Sequence, residues 1–214
     1  TTVNTRWFFL MQVFDNVITL EEANQIEKDI NNAHFPFYIG AGGLQFGTGT
    51  VGYEIYEEHG YDPNVKDHLH FVHSVIQWEE ETNKSVINST ADKMCVNLMN
   101  KLMKHIGEDS YEIYRAKINL SPQHKRPEGT YCVPHTDIER EHMVVIYYVN
   151  DSDGPTYLFE EDGRTILKKV EPKKGRFLMF DGQTKHAGSH PIDNNFRTVI
   201  NYNIKINDDR WRTK

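Results

Sequence analysis

The sequence has 214 residues, 38% hydrophobic and 12% aromatic, with a formal net charge of −7. A chain this long buries a sizeable core without disulfides, and its acidic balance, with no long basic block, argues against a sequence-independent grip on nucleic acid phosphates. Cys95 and Cys132 read as free thiols of a reducing compartment, no apolar run reaches transmembrane length, and residues 1–6 lack a secretory pattern, so a cytoplasmic protein with no membrane partner is expected.

Residues 7–14 are aromatic and aliphatic and end at the turn-like Asp15-Asn16, which predicts a strand. Thr19 and Glu22 have the spacing of a capping box. Leu20, Ala23, Ile26 and Ile30 then follow helical spacing, predicting a helix over 20–33. The glycine-rich run 40–52 forfeits too much backbone entropy to be helix. It lacks the lysine of a phosphate-binding loop. Together with the aromatic and acidic stretch 53–61 it is expected to form a lid or substrate wall. A second helix is predicted from 89 or 90 to 105 by Ala91, Met94, Cys95, Leu98, Leu102 and Ile106, with Gly107 just past its end. Met94, Met99 and Met103 read as packing residues.

From Tyr111 onward the texture changes to short apolar strands separated by turn formers. The predicted strands are 112–120, 131–135, 142–149, 156–159, 166–170, 176–180, 186–190 and 198–206. Short strands at regular spacing indicate a mainly β chain with a jelly-roll or small-barrel core, and the two helices are expected to support one sheet face. A single domain over 1–214 follows, with 1–107 as support and lid and 108–207 as the β core.

Within the β region, His135-Thr136-Asp137 puts two metal-binding side chains two residues apart. In an extended segment, positions i and i+2 share a face, so both can reach one ion. A third ligand must come from another strand, and His186 stands after the predicted strand 176–180 and its turn Asp181-Gly182-Gln183-Thr184. Two imidazoles and one carboxylate form a facial set that leaves positions of an octahedral iron open. Zinc with a water could use the same ligands, so ligand type alone does not choose the metal. His190 competes for the third place; His186 is preferred because it follows the strand and turn directly, whereas His190 precedes Pro191. His142 reads as an ordinary surface or core histidine. Arg197 begins the last strand, where a guanidinium could grip a ligand carboxylate through two parallel hydrogen bonds.

Taken in order, His135-Thr136-Asp137, the strand 144–150, Gly154-Pro155-Thr156-Tyr157-Leu158-Phe159, the stretch 172–181, His186 and Arg197 resemble the Fe(II)/2-oxoglutarate-dependent oxygenases, especially the prolyl-4-hydroxylase-like branch. The resemblance spans residues 111–206. It implies a double-stranded β-helix (cupin-like) core, with Fe(II) on His135, Asp137 and His186. It also implies 2-oxoglutarate as co-substrate with its C5 carboxylate on Arg197, dioxygen as the oxidant, and ascorbate as an auxiliary reductant. The implied reaction hydroxylates a substrate carbon while 2-oxoglutarate is decarboxylated to succinate; His135, Asp137, His186 and Arg197 are then the catalytic set. The branch points to a prolyl residue of a peptide or protein as substrate, with small molecules as the other class. Tyr114 resembles the family's tyrosine that hydrogen-bonds the co-substrate carboxylate, and Tyr148 and Asn203 are further inward candidates. Pro155 departs from the family's usual second glycine. Two other readings use the same residues: a cupin-like metal enzyme without 2-oxoglutarate, in which Arg197 is structural, and a non-catalytic jelly-roll module binding peptide or sugar.

Overall fold

The computed structural model describes residues 11–41, 69–125 and 129–207. Residues 42–61 of the predicted lid and the start of the first predicted strand lie outside the described residues. In chain order the elements are β1 (Met11–Phe14), α1 (Leu20–Ile30), β2 (Tyr38–Ala41), β3 (Leu69–Glu79), β4 (Lys84–Ile87), α2 (Asp92–Ile106), β5 (Tyr111–Pro122), β6 (Met143–Tyr148), β7 (Thr156–Phe159), β8 (Ile166–Val170), β9 (Phe177–Asp181), β10 (His186–Gly188) and β11 (Phe196–Ile206).

Both helices form where apolar spacing places them. The capping box opens α1: the Glu22 amide donates to Thr19 Oγ1 at 3.2 Å, and the Thr19 amide donates to Glu22 Oε2 at 2.9 Å. The helix stops at Ile30, short of the expected 33, because the Asn32 side chain takes the carbonyls of Lys28 and Asp29 and terminates the ladder. Gly107 ends α2 with φ of +76°, a left-handed position natural to glycine.

The strands make two antiparallel sheets. The larger runs β1-β9-β6-β11-β5-β3-β2, with β4 also on β3; the smaller runs β10-β7-β8. Side-chain alternation then divides the interior. On β6, β9 and β11, Val145, Tyr147, Phe177, Met179, Ile200, Tyr202 and Ile204 pack with Ile30 of α1 and Leu98, Met99 and Leu102 of α2. The intervening Val144, Ile146, Tyr148, Leu178, Phe180 and Val199 join Leu158 and Val170 of the smaller sheet. With both faces covered, all six residues of β6 are buried. This is the two-sheet jelly roll read from the strand spacing, with the helices on one face of the larger sheet.

Two features differ from expectation. Three strands beyond the predicted one, β2, β3 and β4, precede α2, and β3 pairs with β5 (Phe71↔Leu120 through Ile76↔Ala116), so one sheet runs through the chain on both sides of residue 107. The segment 131–135 does not form a continuous strand. Pro134 lacks an N–H for the ladder, and the segment is held at its two ends, by Cys132 N to Gly188 O at 2.9 Å and by the His135↔His186 bridge.

Candidate metal centre

The His135↔His186 bridge brings the two imidazoles together. The residues exchange both backbone hydrogen bonds, His135 N to His186 O at 3.0 Å and His186 N to His135 O at 2.9 Å. Directly opposed residues of an antiparallel pair project from the same face, and here the ring centroids are 4.7 Å apart. Asp137, two residues on, adds its carboxylate to that face: Oδ1 is 3.9 Å from His135 Nε2, and Oδ2 is 3.8 Å from His186 Nε2. One ligand atom from each of the three lies within 4.8 Å of the others.

Each imidazole is turned by its second nitrogen. His135 Nδ1 meets Val133 O at 2.9 Å and His186 Nδ1 meets Thr184 O at 3.2 Å. A carbonyl accepts only from N–H, so these bonds put the proton on Nδ1 and leave Nε2 as the free lone pair, as a metal ligand requires. Burial pushes His186 down to about 4, reinforced by His135 and opposed by Asp137. The His186 ring in metal-free protein is therefore expected to titrate near pH 4, observable in its imidazole proton shifts by NMR. Because the unfolded chain protonates near 6.5, this residue weakens the folded state as pH falls below that value.

Asp137 is held from three sides. Arg115 Nη2 lies 2.6 Å from Oδ1, and the amides of Asn201 and Asn203 donate to Oδ2 at 3.0 and 2.8 Å. Burial alone would raise this carboxyl, but the Arg115 guanidinium, the two imidazoles and the Asn203 hydrogen bond hold it well below the usual carboxylate range. Two donors occupy Oδ2 and one occupies Oδ1, which leaves an Oδ1 lone pair for an ion. Two imidazoles turned by their Nδ1 hydrogen bonds and one anionic carboxylate therefore fit a divalent iron with open positions.

Below His186 lies a second polar group. Arg197, on the same face of β11 as Asn201 and Asn203, is 5% exposed. Its Nη2 donates to Thr156 Oγ1 at 2.8 Å, and the Tyr148 hydroxyl donates to the same oxygen at 2.8 Å. The guanidinium stands 5.7 Å from the Tyr148 ring centroid. An added Cβ at Gly188, two residues after His186 on β10, would lie 3.3 Å from Arg197 Nη1, so the absent side chain admits the guanidinium there. Arg197 forms no ion pair among the described residues, and its Nε is buried without a partner. Burial lowers its pKa from the usual arginine value.

Of the sequence candidates, His135, Asp137 and His186 meet at one point, while Arg197 and Tyr148 meet beside Thr156. His190 stays outside the triad: its Nδ1 binds Pro122 O at 2.9 Å and its ring faces His124. Tyr114 has other neighbours than the Arg197 group. It packs edge-on against Trp78 at 5.1 Å, with the Arg140 guanidinium 5.0 Å from its ring. Asn203 serves Asp137. Arg115, Asn201 and Thr156 were not singled out from sequence; their signal is inward parity on strands beside the His-x-Asp pair.

No protein-family model matches the sequence, and no curated protein matches it significantly. Solved structures do match. A Burkholderia pseudomallei oxidoreductase of the 2OG-Fe(II) oxygenase family aligns over 95% of this chain and 89% of its own at TM-score 0.62 and 16% identity. The chain has the fold of these oxygenases. A Pseudomonas putida prolyl-4-hydroxylase aligns at TM-score 0.51 and 11% identity, over 91% of this chain and 92% of that one. A Trichoplax adhaerens prolyl hydroxylase in complex with a hypoxia inducible factor peptide fragment aligns at TM-score 0.53 and 12% identity, over 94% and 85%. At such identities the oxygenase fold is what they share.

Proposed function

We propose that this protein is an Fe(II)- and 2-oxoglutarate-dependent oxygenase acting as one domain, with His135, Asp137 and His186 holding the metal and Arg197 holding the far carboxylate of the co-substrate. The observation that carries the reading is a buried guanidinium with no counter-ion among the described residues, set beside a two-histidine, one-carboxylate cluster. A buried charge left unpaired is costly, and an entering carboxylate removes that cost. A structural arginine, as the cupin-like reading without 2-oxoglutarate requires, would be paired.

When bound, Fe(II) with 2-oxoglutarate and dioxygen supplies the oxidation: 2-oxoglutarate becomes succinate and carbon dioxide, and a substrate carbon is hydroxylated. The chain supplies placement. Nε2 of both histidines and Asp137 Oδ1 would hold the ion. Thr156 already accepts from both Arg197 and Tyr148, so its own hydroxyl proton is left to donate toward a carboxylate on Arg197. Tyr148 stiffens this cradle through Thr156. The apolar lining of Val144, Ile146, Leu158, Leu178, Phe180 and Val199 keeps water low around the reacting groups.

A prolyl residue of a peptide or protein is the proposed substrate, supported by the two prolyl hydroxylases of the same fold. Ascorbate enters this reading through the sequence resemblance alone. The cytoplasmic setting is part of it too, supported by the free thiols Cys95 and Cys132. Among the described residues no helix is long and apolar enough to cross a membrane. The test is succinate formation from 2-oxoglutarate by iron-loaded protein with a proline-containing peptide mixture. Turnover is expected for the parent and not for His135→Ala; equal succinate from both sinks the proposal.

A further inference from the structure

The inward face of β5 carries a charge that the metal centre does not use. Arg115, Lys117 and Asn119 alternate along that face, with Asn203, Asn201 and Val199 as their register partners on β11. Arg115 is committed to Asp137. Lys117, one side-chain step further along, is half-buried and forms no ion pair among the described residues. Burial and the adjacent Arg115 guanidinium push its ammonium down to about 8, and Asp137 offsets this only in part. Across the sheet on β3 its partner is Ser74, which is uncharged. On β11 its partner is Asn201, whose amide nitrogen is spent on Asp137 and whose Oδ1 is buried without a partner among the described residues. An ammonium in this place disfavours the empty barrel and favours an anion inside it.

We propose that Lys117 is a second anion anchor of the barrel, holding a carboxylate oxygen of 2-oxoglutarate at the metal end while Arg197 holds the other. The proposal rests on the co-substrate reading above. Register supports the division. Arg197 lies opposite Ser121, whereas Lys117 lies two alternations nearer to Arg115 and Asn203, which hold Asp137. The two cations therefore serve different ends of one elongated ligand. A dicarboxylate offers an anion to each and a monocarboxylic keto acid to only one, so the pair selects keto diacids.

The test is calorimetric binding of 2-oxoglutarate to Mn(II)-loaded protein, comparing the parent with Lys117→Met and Lys117→Arg. The methionine variant, which keeps the stem and loses the charge, is expected to weaken 2-oxoglutarate at least roughly tenfold, and the arginine variant to stay within about threefold. The methionine variant's metal-free form is also expected to melt above the parent, since a half-buried charge with no ion-pair partner among the described residues is gone. Lys117→Gln stands in should the methionine variant not fold. If the parent binds 2-oxoglutarate and the neutral variant binds it within about twofold as tightly, Lys117 is no anchor while the co-substrate reading survives. A Mn(II)-loaded parent that binds no 2-oxoglutarate overturns both.

Discussion

Asp137→Ala is expected to abolish tight divalent-metal binding and, separately, to destabilise the metal-free protein by about 3–5 kcal/mol. The first effect follows from losing one of three ligands. Even an outer partner of a ligand is worth roughly 10- to 100-fold in metal affinity, so the loss here should exceed that range. The second effect has a different origin. Arg115 and Asp137 are both mostly buried, with side chains 11% and 6% exposed, and truncating the acid strands a guanidinium and two amide donors. The double variant Arg115→Met/Asp137→Ala is therefore expected to recover most of the stability and none of the metal affinity, a separation that a thermodynamic cycle reads directly. Acid titration adds a sign. The carboxyl is held below its usual range, so its contribution is full above about pH 4 and is lost as pH falls through the depressed value. Metal-free parent should lose stability on acidification more steeply than Asp137→Ala. Equal acid profiles and equal stabilities would mean that Arg115 does not hold the carboxylate in solution.

The parts of this fold that were legible in the sequence are those governed by local rules. Thr19 and Glu22 mark the start of α1, Gly107 the end of α2, and β7 and β8 fall at their expected bounds because turn formers fence them on both sides. His135 and Asp137 share a face through simple i, i+2 parity. Choosing His186 over His190 needed only the strand and turn before it, and the bridge to His135 gives the physical reason. What could not be read was pairing between distant strands. Nothing local ties Arg115 to Asp137, or Asn201 and Asn203 to the same carboxylate; the β5–β11 register does that. The tyrosine on β5 shows how sharp this limit is. Tyr114 is the candidate there, yet Arg115 is the neighbouring residue that reaches Asp137. The register irregularity beside Tyr114, at Asn203/Ile204, adds to that ambiguity. β3 was missed although it is rich in strand formers, because Phe71, Val72, Val75 and Ile76 do not alternate with polar residues, in keeping with the register irregularity between Ser74 and Ile76.

Arg197→Met is expected to leave metal affinity unchanged and to weaken 2-oxoglutarate by roughly 30- to 1000-fold, the loss of about 2–4 kcal/mol for a buried, hydrogen-bonded charge contact. Its effect on the ligand-free fold should run the other way. The guanidinium is buried, has no acid partner among the described residues, and keeps an unbonded Nε. An apolar side chain of similar length is therefore no less stable there, as replacements of buried charges by hydrophobic residues often are. Arg197→Lys divides charge from geometry. It restores a cation but not the planar fork that can meet Thr156 and a carboxylate together, so only part of the affinity should return. The measurement is 2-oxoglutarate binding by calorimetry on Mn(II)-loaded protein, alongside thermal denaturation of the metal-free form. A variant that melts well below the parent and binds 2-oxoglutarate as the parent does would assign Arg197 to the scaffold. The pairing of lost affinity with retained stability is what distinguishes a group held ready for a ligand from one that holds the barrel together.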